Sequence, residues 1–234
     1  MQKLSFELQR LYLLAGQQRD AQSTQSIELV KDGMVRTLVI DFHKADGEQH
    51  WARLCDVANA LQTELGLPAP AVSVSGGECY RLWLSLAQPV TEAQAKQFLA
   101  LLHKAYFEDE EIDFGRSQVD LPPAQNRATG LWAAFINPSM GGALAEDLGL
   151  EMAPPDAAQA AFLEGLVSIS EEEYQQALAT LQRKHAAAPA SAPVASTAST
   201  TPAGLLLKDA TLEDIVRHLH AMGIEPTFRH VLKH

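Results

Sequence analysis

The chain has 234 residues, 47% hydrophobic and 20% charged, with a formal net charge of −11. That length suits one large domain, or one domain with a small appendage. The acidic balance excludes binding to nucleic acid through bulk positive charge, because that affinity comes from lysine and arginine neutralising phosphates.

The opening "MQKLSFELQRLYLL" lacks a continuous apolar segment and a small-residue cleavage site, so it reads as an amphipathic helix and not a signal peptide. Leu4, Leu8, Leu11 and Leu14 give residues 3–15 a helical pattern. "SIELVKDGMVRTLVIDFH" then predicts a hairpin turning at Asp32-Gly33. Trp51, Leu54, Val57, Ala58, Leu61 and Leu65 recur at helical spacing over 48–65, and Gly66 stops that helix. "AVSVS" and "CYRLWLSL" are the next strands, joined through Gly76-Gly77. Thr91 to Gln94 has capping-box spacing and opens a helix to about Phe107. "SQVDLP" and "LWAAFINP" are short strand candidates. Asp156–Gln159 and Ser170–Glu173 repeat the capping-box spacing and predict two further helices.

The main domain is therefore expected over 1–184. Residues 185–204 are an Ala/Pro/Ser/Thr linker, which cannot bury enough apolar surface to offset its ordering entropy. Residues 205–234 form a small helical tail opened by Thr211, too short for its own core and expected to dock on a protein partner or on the main domain. The tail holds His218, His220, His230 and His234, best read as surface residues. No stretch approaches the roughly 18 apolar residues of a membrane span. Cys55 and Cys79 have no metal-ligand spacing. A cytoplasmic protein with reduced thiols and no membrane partner is the expectation.

Strand alternation selects the candidate site. Thr37, Val39, Asp41 and His43 share one face of their strand, opposite Leu38, Ile40 and Phe42. Asp41 and His43 could together hold a divalent metal. Cys79, Arg81, Trp83 and Ser85 lie opposite Tyr80, Leu82, Leu84 and Leu86, which places Arg81 away from the leucines. Asp120 stands at another strand end, and Asp113 is a weaker alternative to it. Plainer readings stand beside these. Asp41 and His43 fit a strand-end polar pair. Arg81 fits half of a salt bridge, with Asp41 or Asp120. Ser75-Gly76-Gly77 fits a tight connection as well as a phosphate cradle.

The segments "LVIDFH", "SGGECYRLWLSLAQPVTEAQAKQFL" and "VDLPPAQ" occur in an order that resembles the archaeo-eukaryotic primase superfamily, over about residues 35–140. That group includes primase-polymerases and the polymerase domain of bacterial end-joining ligases. The resemblance implies an α+β, RRM-like mixed sheet core with flanking helices, and a setting in DNA replication or a mobile element. It implies catalytic Asp41 and Asp120, a Mn²⁺ or Mg²⁺ site at Asp41, His43 and Asp120, and nucleotide contacts from Ser75, Gly77 and Arg81. The motifs also depart from the family pattern. His43 stands where a second acid is usual, Arg81 where a histidine contacts phosphate, and Cys79 where a glycine precedes the tyrosine. Replacing a carboxylate by imidazole removes a charge and a hard oxygen ligand, which weakens Mg²⁺ most. The expectation is a diverged domain, weak or inactive as a metal-dependent nucleotidyltransferase, that binds a nucleotide or nucleic acid. The rival is a non-enzymatic scaffold that works through residues 205–234.

Overall fold

A computed structural model describes residues 2–17, 26–108 and 116–187. The chain divides into two compact units, Met1–Pro189 and Ala190–His234. All described residues belong to the first. The tail helix, its histidines, the linker beyond Ala187 and Asp113 lie outside the described residues.

The elements run α1 (Gln2–Tyr12), β1 (Ser26–Glu28), β2 (Val30–Lys31), β3 (Met34–His43), α2 (Gln49–Thr63), β4 (Ala71–Val74), β5 (Cys79–Thr91), α3 (Glu92–Tyr106), β6 (Gln118–Asp120), β7 (Ala124–Gln125), β8 (Trp132–Ile136), α4 (Asp156–Glu164) and α5 (Glu171–Ala187). Short 3-10 segments precede α2, at Asp46–Glu48, and follow β8, at Pro138–Leu144.

Six strands form one sheet in the order β2-β3-β5-β4-β8-β7, and β1 pairs with β6 in a separate ribbon. Every ladder among the described residues is antiparallel. The α+β class holds, but the sheet is antiparallel where a mixed one was expected. The parallel element is an isolated bridge between Leu86 and Ile169.

Alternation along β3 and β5 gives the sheet two apolar faces. Leu38, Ile40 and Phe42, with Tyr80, Leu82 and Leu84, pack against α2, α3 and α5. Val39, Trp83 and Phe135 pack against α1 and α4. Trp83 is the largest fully buried side chain. Fully burying a side chain of this kind is worth about 1.5–3 kcal/mol or more, so both helix layers are held mainly by this term. Polar groups on the α1 side are matched individually. Thr37 Oγ1 donates to the Tyr12 carbonyl at 2.9 Å, and Ser85 Oγ to the Leu11 carbonyl at 2.7 Å.

The Asp32-Gly33 turn forms as predicted, with φ of 53° and 73°, the signature of a two-residue hairpin turn. Its first arm, however, is split: Val30 and Lys31 pair with β3, while Ser26–Glu28 leave to join β6. Thr91 closes its capping box with Gln94, and Ser170 does so with Glu173. Asp156–Gln159 does not. Gln159 is buried and turns instead to Phe135, accepting from its N–H at 2.8 Å and donating to its C=O at 2.9 Å. The demand of two strand groups for partners outweighs a helix cap that solvent could replace.

Candidate functional site

β3 and β5 run side by side, and their register places Asp41 opposite Arg81 and His43 opposite Cys79. Arg81 Nε donates to Asp41 Oδ1 at 3.2 Å. A second guanidinium arrives from the segment leading into β6. Arg116 Nη1 donates to Oδ1 at 2.9 Å and Nη2 to Oδ2 at 2.6 Å, a bidentate clamp. Side-chain exposure is 8% for Asp41, 12% for Arg81 and 20% for Arg116, so the cluster is largely desolvated. Burial alone would raise the Asp41 carboxyl. The Arg116 hydrogen bonds, the charges of Arg81 and Arg116 and the Cys79 thiol outweigh it and hold the group below its usual range. The neighbouring Cys79 thiol is pushed up to about 12, first by burial and then by the Asp41 charge. It is an inert wall of the site and not a nucleophile.

Asp120 reaches the cluster through its backbone. Its carbonyl lies 3.4 Å from Arg81 Nη1, while the residue itself is exposed and paired with Ser26 across the ribbon. His43 is exposed at the end of β3. The structure thus brings Asp41, Arg81 and the Asp120 main chain together, with His43 two residues further along the same strand.

Ser75, Gly76 and Gly77 form the turn into β5. Ser75 Oγ accepts from the N–H groups of Glu78 and Cys79 at 3.1 and 2.8 Å. The N–H groups of Gly76 and Gly77 both donate to the carbonyl of Leu148 at 2.9 Å. What these glycines approach is therefore another stretch of backbone. Gly76 has φ +88°, and a Cβ there would sit 2.9 Å from Asn126 Cβ and 3.0 Å from the Leu131 carbonyl oxygen. Gly77 has φ +124°, and a Cβ there would meet Thr129 Cγ2 at 2.8 Å.

The donor set does not fit a divalent metal. Both Asp41 oxygens already accept from guanidinium groups, and a cation entering there would displace Arg116 and face Arg81. Among the described residues, no group of three or more His, Cys, Asp and Glu side chains is placed to hold a metal ion. No helix among them is long and apolar enough to cross a membrane.

Sequence reasoning offered Asp41 or Asp120 as the salt-bridge partner of Arg81, of which the structure shows Asp41, and missed Arg116 and Leu148. Arg116, Gln118 and Asp120 alternate along one extended segment, so the position of Asp120 carried a signal for Arg116. Leu148 sits in irregular chain with no periodicity to mark it. No protein-family model matches the chain, and no curated protein sequence is significantly similar to it.

Proposed function

We propose that the chain is a diverged primase-like domain in which the metal side has become an ion-pair anchor. In this reading it transfers no nucleotide and serves as a protein-interaction module, in a DNA replication or mobile-element setting. The element order β3-α2-β4-β5-α3, with β5 lying between β3 and β4, supports the fold part of this reading, because it has the split β-α-β form of an RRM-like core.

The observation that carries the functional part is Asp41 held between Arg81 and Arg116. Two-metal nucleotidyl transfer needs carboxylates free to grip hard cations against a triphosphate. Here the first-motif acid is spent on two guanidinium groups, and the second-motif hydroxyl and amides are spent on the turn and on Leu148. The same geometry weighs against nucleotide capture by Ser75, Gly77 and Arg81. The working part is then that of the rival reading of the sequence, a protein partner held through residues 205–234.

The test is thermal unfolding of the full chain with and without Mn²⁺ plus mixed nucleoside triphosphates, alongside primer extension. A ligand that binds the native state raises the midpoint by mass action. The expected result is an unchanged midpoint and no extension. A rise that needs both metal and triphosphate overturns the proposal. Removal of residues 186–234 should abolish partner capture and leave the main domain folded.

A further inference from the structure

We infer that His50 is a pH-sensitive latch joining the loop after β3 to the 138–148 segment. His50 is the second residue of α2, 5% exposed, with its ring stacked on Tyr80 at 5.4 Å between centroids. Its Nδ1 faces the Ala45 N–H at 3.3 Å, and its Nε2 faces the Ala145 carbonyl at 3.2 Å. A backbone N–H only donates and a carbonyl only accepts. Both bonds are made by a single species, the neutral ring with its hydrogen on Nε2. A proton added to Nδ1 sets one N–H against another and breaks the bond to Ala45.

The loop held by this bond is strained. Gly47 and the following Glu48 have φ of 64° and 59°, and Glu48 is a residue for which that conformation is unfavourable. The same two segments meet again at the surface, where Lys44 Nζ donates to the Glu146 carbonyl at 2.5 Å and lies 3.4 Å from its carboxylate. That contact is exposed and weak, so the buried ring is the stronger tie.

The titratable and charged groups on the elements around the ring include Cys79, Tyr80 and Arg81 on β5, Lys44, Asp46 and Glu48 on the loop, Arg53, Cys55 and Asp56 on α2, and Glu146 and Asp147 on the facing segment. The carboxylates favour a cationic ring. Lys44, Arg53 and the N-terminal end of α2 oppose it. The Ala45 N–H has the ring nitrogen as its partner in this structure. A proton on Nδ1 therefore frees the loop, and with it the segment whose Leu148 carbonyl closes on Gly76 and Gly77.

The test is hydrogen–deuterium exchange of the full chain at pH 7.5 and 5.5, corrected for the intrinsic pH dependence of exchange, with α3 peptides as the internal reference. Peptides covering 44–50 and 140–148 should lose about tenfold of their protection at pH 5.5, the loss expected for one buried hydrogen bond. His50→Gln can offer a carbonyl to Ala45 and an amide N–H to Ala145 without titrating, so its protection should be flat with pH. Equal pH dependence in H50Q, or none in the parent, overturns the latch. Should H50Q not fold, ¹⁵N spectra of the histidine rings in the parent decide. The ring must be protonated on Nε2 alone at neutral pH, and the Ala45 amide must shift as the ring titrates. A ring that titrates with Ala45 unmoved overturns the latch.

Discussion

Asp41 works as an anchor whose partners come from two distant parts of the chain, β5 and the approach to β6. Removing one partner of a buried pair leaves the other charge desolvated. Arg116→Ala should therefore cost about 2–4 kcal/mol in urea unfolding, reduced from the fully buried case because Arg116 keeps some solvent. The Asp41 carboxyl sits below its usual range in the folded chain. Its contribution is then complete above the unfolded value of about 4 and disappears as pH falls through the folded value. Asp41→Asn should flatten the acid limb of a stability–pH profile, and a limb as steep as the parent's would remove Asp41 as its source. Gly76→Ala meets both an unfavourable φ and a backbone oxygen at 3.0 Å, and should lower stability by about 2 kcal/mol or more in the same measurement. At this scale the sequence was informative about pairs within a strand face, since alternation alone put Arg81 and Asp41 on matching sides. For Arg116 alternation with Asp120 gave the face but not the partner, because nothing local states which strand the approach to β6 will meet.

Elements were legible where a local device fixes them. The Asp32-Gly33 turn, the Thr91 and Ser170 capping boxes and the apolar stripe of α2 all appear where periodicity and turn chemistry put them. The failures share one cause: a tertiary demand outweighed a local preference. Residues 26–28 left their hairpin because β6 offered them a ladder, and Gln159 left its helix cap because Phe135 had two unpaired groups. The role of Gln159 is testable. Gln159→Ala strands an N–H and a C=O on β8, and should cost about 2–4 kcal/mol, with α4 peptides losing exchange protection first. A loss below about 0.5 kcal/mol would show that solvent reaches those groups instead.

For the whole molecule, β5 is the shared wall of both cores. Tyr80, Leu82 and Leu84 belong to one, and Trp83 to the other. Neither face can melt without stripping the strand that the other needs. Unfolding should be a single transition, with tryptophan fluorescence and far-ultraviolet circular dichroism superimposing across the urea curve. Separate midpoints would mean that the α1–α4 layer lifts off alone. The layered arrangement was legible in outline from the alternation of β3 and β5. The strand order was not, since pairing between distant segments depends on contacts that no single stretch encodes.

Arg36 gives this arrangement a practical edge. Its guanidinium donates to the carbonyls of Leu86 at 3.3 Å, Leu13 at 3.0 Å and Arg10 at 2.5 Å. One side chain thus stitches the end of the first helix to the irregular stretch of the central strand. Anyone shortening the protein from its N-terminal side to reach a minimal fold cuts into these bonds once the first helix is removed. Trimming back the first helix uncovers a cation beneath it, together with the Thr37 and Ser85 hydroxyls, and the shortened chain should come out of expression insoluble rather than merely smaller.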